Sequence, residues 1–208
     1  MCGFVGYLNL SRDYDENILK KMAASIFHRG PDNMGIWFDK NIGLGIAHNR
    51  LSIIDVSNNG NQPMQSIDGR YVIAFNGEIY NHKDLREDLI QTNLGNTWRS
   101  SSDTETLVSC LQMWGIDETI KKLNGMFAIA IFDREKNFLT LVRDRFGEKP
   151  IYYYLKENLF IFGSELKARI KYPYLSNDID QKSLPLFLRY GYVPSPFTIY
   201  KNIFKLEP

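Results

Sequence analysis

Apolar residues recur along this chain with two different periods, and the switches between them mark out the elements. From Gly3 to Leu10 they alternate weakly, which reads as a strand beginning immediately after Cys2. Ile18, Met22 and Ile26 then stand four apart, which predicts a helix over 15–27, and His28-Arg-Gly-Pro-Asp32 stops it with a Gly-Pro break. Strand-like runs follow at 35–38, 42–47 and 51–55. Residues 58–63 read as a polar loop, and 71–75 as a further strand running into Asn76-Gly77. Leu85 with Leu89, and Leu107 with Leu111 and Trp114, mark two amphipathic helices. Apolar runs at 126–132 and 138–142 predict two more strands, and 151–155 with 159–162 a pair around a Lys156-Glu-Asn158 turn. The strand pattern ends near 176–180. A short helix over 183–190, a Pro194-Ser-Pro196 break and an extended tail to Pro208 complete the chain.

Strands in two clusters with helices between them predict stacked sheets covered by helices, an α+β layered architecture. Length and composition suit one full domain plus a short extension: 208 residues, 44% hydrophobic and 24% charged. A net charge of +1 carries no footprint for nucleic acid. The longest apolar run, 126–132, is far short of the ~20 residues of a membrane span. Residues 1–10 lack the basic and apolar regions of a signal peptide, so the cytoplasm is the expected location. Of the two cysteines, Cys110 shares a helical face with Leu107 and Leu111 and reads as a buried apolar residue.

Cys2 changes the picture. Loss of the initiator Met would leave a thiol and a free α-amine on one residue, a nucleophile beside a proton acceptor that titrates near ~8. With Met1 retained, Cys2 has no free amine. If the substrate of such a nucleophile were an amino-acid amide, its α-carboxylate would want a guanidinium and its α-ammonium would want carboxylates. Its tetrahedral oxyanion would want convergent N–H donors. Arg50, Asn76-Gly77-Glu78 and Asp103 supply those groups, although Asn-Gly is also a turn signal and Asp103 a helix N-cap type. His28, His48 and His82 have no metal-ligand spacing, so no metal site is expected; His28 and His48 read as loop-packing residues. The charged run from Arg143 to Pro150 reads either as a solvated turn or as a surface facing another domain.

The segments MCGFVGYLNL, HRGPDNMG, HNRLSIIDVS, NQPM, FNGEIYNH, SSDTETL, LNGMFAIAIFD, RDRFGEKPIYYY and SELKA occur in this order. Together they resemble the N-terminal glutamine amidotransferase domain of the glutamine-hydrolysing asparagine synthetases. The resemblance implies an Ntn-hydrolase-like fold, a four-layer αββα sandwich of two mainly antiparallel sheets. It implies a glutaminase domain over 2–175, with 176–208 the linker and start of a synthetase domain. Cys2 would be the nucleophile, passing through a γ-glutamyl thioester, with its own α-amine as base. Arg50 would hold the glutamine carboxylate, with Leu51, Ser52, Ile53 and Ile54 lining that end of the pocket. Asn76 and Gly77 would form the oxyanion hole, and Glu78 and Asp103 would hold the α-ammonium. No cofactor is implied for hydrolysis.

ATP and Mg belong to the synthetase domain that would use the ammonia to amidate aspartate. Its pyrophosphate loop is absent from these residues, and no phosphate-binding glycine motif occurs. The expected partners are L-glutamine and the synthetase domain in cis, without nucleic acid or membrane, and a homodimer is one expected assembly. Two alternatives stay open: a domain that binds glutamine or a partner without turnover, and an amidotransferase for another carboxylate.

Overall fold

Which face of each strand is apolar decides where it lies in the molecule. A computed structural model of the chain describes residues 1–11, 15–91, 98–173 and 175–208. One antiparallel sheet contains β1 (Gly3–Asn9), β2 (Asn33–Asp39), β3 (Leu44–Arg50), β8 (Tyr152–Lys156), β9 (Leu159–Gly163) and β10 (Ile203–Lys205), ordered β10-β8-β9-β1-β3-β2. The other contains β4 (Met64–Gln65), β5 (Tyr71–Ile79), β6 (Gly125–Asp133) and β7 (Phe138–Arg143), in sequence order. Phe4, Leu44 and Ile46 from the first sheet meet Val72, Ala74, Ala128 and Ala130 from the second in a core between the sheets.

The alternate residues point outward. Ile73, Phe75, Ile129 and Ile131 pack under α2 (His82–Ile90) and α3 (Asp103–Lys122). Val5, Tyr7 and Ala47 pack with Leu19 and Met22 of α1 (Glu16–Ser25) and Ala168 of α4 (Leu166–Arg169). The result is the four-layer αββα sandwich. α5 (Leu184–Tyr190) ends at Gly191, whose φ of 75° is the left-handed cap that glycine adopts without strain.

Two expectations are corrected. Residues 51–55 are not a strand. β3 ends at Arg50 because its neighbours end there too: β1 begins at Gly3 opposite Asn49, and β2 at Asn33 opposite Arg50. Beyond Arg50 no strand remains to pair with, and the chain turns into a loop. Asn76-Gly77 is not a turn but the continuation of β5, paired to Ala128 and Phe127. The extended tail joins the first sheet: β10 pairs with β8, and Leu206 N–H donates to Ile151 O (2.8 Å). The helix marked by Leu107, Leu111 and Trp114 begins at Asp103 and runs on to Lys122 across a break at Gly115.

Candidate active site

The core between the sheets runs out of apolar residues at one end, and the columns of side chains that built it finish there in polar groups. Two residues before Phe4 comes Cys2; beyond Leu44 and Ile46 come His48 and Arg50; beyond Val72 and Ala74 comes Asn76. One step past the Gly3–Asn49 pair, Cys2 lies beside Arg50. These columns open on a cleft of about 690 Å³, counted out to solvent. Of the residues singled out in the sequence it brings together Cys2, Arg50, Leu51, Ile53, Ile54, Asn76, Gly77, Glu78 and Asp103. Ser52 stays outside the lining, its N–H donating to the Asp32 carboxylate (2.8 Å).

Cys2 is half-buried. Its Sγ accepts from Leu51 N–H (3.3 Å), and Arg29 Nε–H donates to its carbonyl (2.9 Å). Burial pushes the thiol pKa up, against the Leu51 N–H, the Met1 ammonium and Arg50, which act the other way. The group therefore rests as a thiol and needs a base.

Arg50 organises the loop that follows it. Its guanidinium donates to the carbonyls of Ser57 (2.6 Å) and Asp55 and to Asn61 Oδ1 (2.9 Å). These partners are neutral, and among the described residues Arg50 forms no ion pair, so its charge stays available to an anion in the cleft. Gly60 leaves room for that guanidinium: a Cβ on it would come within 2.2 Å of an Arg50 nitrogen and push the side chain aside. Asp55 ties the same loop to the start of α3 by accepting from Ser101 N–H (2.9 Å).

Opposite, Asn76 is buried and its Nδ2 has no hydrogen-bond partner among the described residues. Leaving an amide donor unpaired costs about 1–3 kcal/mol, which marks it as aimed at something that arrives later. The direction of the Gly77 N–H follows from ladder parity. Phe127 exchanges both its backbone bonds with Asp144 on the far side of β6, so its pairing with Gly77 is a non-hydrogen-bonded one. The Gly77 N–H thus points away from β6, between the Phe75 N–H, taken by Gln62 Oε1 (2.6 Å), and the Ile79 N–H, taken by Asp103 Oδ2 (3.1 Å). A Cβ at Gly77 would meet Met126 O at 2.1 Å, so this close approach admits glycine alone.

Asp103 is the first residue of α3, with Ser102 as N-cap. Burial raises its pKa to about 6, partly offset by the Ile79 and Thr104 N–H groups and reinforced by the charge of Glu78, which lies at the exposed mouth.

His48 is not a loop residue: it lies in β3, buried between the sheets. Burial lowers its pKa to about 4. Phe75 O can only accept, so His48 Nε2–H donates to it (3.0 Å) and that nitrogen is committed. His28 is exposed and faces Glu165 (2.9 Å). Gln62 and Lys149 also line the cleft and were not singled out in the sequence. The signal for Gln62 was its place in the NQPM segment, and for Lys149 a lone lysine before Pro150 in a run that otherwise read as turn or surface. Among the described residues, no group of three or more His, Cys, Asp or Glu side chains could hold a metal. Among them, no helix is long and apolar enough to cross a membrane.

The stacked sheets with a polar cleft at one end are the fold of the Ntn-type amidotransferases. The glutamine phosphoribosylpyrophosphate amidotransferase of Bacillus subtilis superposes with a TM-score of 0.65 at 20% identity, over 81% of this chain and 43% of that one. The chain belongs to the glutamine amidotransferase domain family, whose model matches residues 1–208. It is 41% identical to asparagine synthetase (glutamine-hydrolyzing) 1 of Bacillus subtilis, over all of this chain and 32% of that protein. It is 33% identical to asparagine synthetase (glutamine-hydrolyzing) 3 of the same organism, over all of this chain and 34% of that protein. The chain thus spans about a third of the length of these relatives.

Proposed function

We propose that this chain is the glutaminase domain of a glutamine-hydrolysing asparagine synthetase. The observation that carries the reading is the unpaired, buried Asn76 amide lining the same cleft as the Cys2 thiol. Glutamine would lie with its α-carboxylate on Arg50 and its α-ammonium between Glu78 and Asp103. Leu51, Ile53 and Ile54 would wall the carboxylate end, and Ser52 would act only by holding that loop. After removal of Met1, the Cys2 α-amine takes the thiol proton as Sγ attacks the side-chain carbonyl carbon. The oxyanion is received by Asn76 Nδ2–H and Gly77 N–H. The amine then passes its proton to the leaving nitrogen, the C–N bond breaks, and ammonia departs from a γ-glutamyl thioester. Water adds to the thioester with its proton going to the amine, and the C–S bond breaks to give glutamate and the thiol.

Hydrolysis needs no cofactor in this scheme. ATP and Mg would act in a synthetase domain in cis, which amidates aspartate with the ammonia. Residues 2–175 would form the glutaminase proper, with 176–208 serving both as linker and as the outermost strand of its sheet. The relatives named as asparagine synthetases support aspartate as the acceptor over another carboxylate.

Intact mass before and after exposure to a thiol-alkylating glutamine analogue tests the glutaminase reading. A Met-free chain gaining one adduct, abolished by Cys2→Ala, is the expected result. A Met-free chain that gains none and leaves glutamine intact would point to a domain that binds without turnover.

A further inference from the structure

Lys149 is a buried cation at the cleft that the scheme above does not use. It is 5% exposed and lines the cleft beside Met1, Cys2 and Met126. Its backbone is fixed by the loop: its N–H donates to Asp144 Oδ2 (3.0 Å) and its carbonyl accepts from Arg143 Nε–H (2.8 Å). Its side chain is not fixed by any anion. Among the described residues, Nζ has a single hydrogen-bond partner, the thioether Sδ of Met1 (2.8 Å), and no ion pair. A thioether is a weak acceptor, poor compensation for a buried lysine.

Removing Met1 takes that partner away. Bond geometry places Nζ within about 9 Å of the Cys2 nitrogen, since only the Met1 side chain and one peptide bond separate them. The new α-amine is then formed in a site whose charged groups come from every side. Lys149 stands on the 143–150 loop, Arg50 at the end of β3 and Arg29 on the turn at 27–29, while Asp55 on the loop after β3, Glu78 on β5 and Asp103 on α3 oppose them. Arg29 is paired to Glu165 (3.1 Å), and Glu78 is at the exposed mouth. Lys149 is left, among the described residues, as a cation at the cleft with no anion of its own.

We propose that Lys149 is a positioning residue for the nucleophile: with Met1 gone, its ammonium faces the Cys2 amine and holds that amine in the neutral, proton-accepting form. The physical cause is like-charge repulsion in a half-buried site, which disfavours a second ammonium. The inference rests on the glutaminase reading, in which that amine is the base.

The test compares Met-free wild type with Lys149→Met and Lys149→Arg. The methionine keeps the length without charge, and the arginine restores the charge. The acid limb of kcat/KM for glutamine should move up by about half to one pH unit in Lys149→Met, toward the ordinary α-amine value, and return in Lys149→Arg. At pH 7 the methionine variant should be about three- to tenfold slower, and near pH 9 it should match wild type. A uniform loss at every pH, or a fall in melting temperature with an unchanged profile, would overturn the proposal and make Lys149 structural. If Met-free wild type hydrolyses no glutamine, the glutaminase reading fails instead. Titration of the Cys2 amine by NMR of isotope-labelled cysteine then decides on its own: equal midpoints in wild type and Lys149→Met overturn the role of Lys149.

Discussion

The loop at 143–150 and the start of α3 each bury an aspartate, at 1% exposure for Asp144 and 6% for Asp103. Burial pushes both carboxyls up. At Asp144 the push is overcome by the N–H groups of Phe127, Phe146, Glu148 and Lys149 at 2.9–3.3 Å, and its pKa lies below the ordinary 3.8. At Asp103 the Ile79 and Thr104 N–H groups do not suffice against burial and Glu78, and its pKa rises to about 6. Both carboxyls are nearly cut off from solvent, but Asp103 is the more deeply desolvated and has the fewer donors, so burial wins there while the donors win at Asp144. A carboxylate saturated by its own loop is architecture, and one left short has capacity for a ligand. The nearby cations divide in the same way. Arg143 commits its guanidinium to the carbonyls of Lys149, Leu206 and Gly147, whereas Lys149 holds only a thioether.

The largest test of this contrast is Asp144→Ala. It strands the buried N–H groups of Phe127 and Lys149 and the part-buried ones of Phe146 and Glu148, and should cost about 3–6 kcal/mol in denaturant unfolding. A loss under about 1 kcal/mol would mean that those groups find other partners. Asn76→Ala is the opposite case, since Nδ2 has no partner to lose among the described residues. Turnover should fall about a hundredfold or more, near 3 kcal/mol in the barrier, with stability little changed. Near wild-type turnover would remove Asn76 from the oxyanion hole.

Asp103→Asn separates the two aspartates by pH. A carboxyl raised from 3.8 to about 6 costs stability above pH 6, and the cost is relieved as pH falls toward 3.8. The variant should gain about 2 kcal/mol at pH 8 and nothing below pH 4, while its KM for glutamine rises about tenfold or more. Asp144 has the reverse sign: its stabilisation is present above 3.8 and is lost as pH falls through its lower folded value. The smallest effect is expected at Ser102→Ala, where the N-cap bond to Glu105 N–H (3.2 Å) is lost, about 1 kcal/mol by thermal melting.

Most strands were legible as short apolar runs bounded by turn residues, because β1, β6 and β9 are buried on both faces, against the other sheet on one and against helices on the other. The 51–55 run misled because Leu, Ile and Ile favour a strand locally, while pairing needs neighbours that β1 and β2 no longer supply there. Asn76-Gly77 misled the other way: a turn dipeptide stays extended when Ala128 and Phe127 face it. The candidate residues themselves were visible as types, a thiol, a guanidinium, an amide and two carboxylates. Their convergence was not, because Cys2 and Arg50 come from one sheet, Asn76 from the other, and Asp103 from a helix laid across it.

Composition, periodicity and the ordered motifs by themselves determined a layered α+β domain of the amidotransferase type and a short list of chemically apt residues. The tertiary structure alone decided which polar groups are satisfied by their own loops and which are left open toward the cleft. Hydrogen-bond saturation depends on neighbours far apart in sequence: Lys149 meets Met1 across 148 positions, and Asp103 meets Ile79 across 24. No local pattern encodes those distances, and they are what separates a structural charge from a functional one.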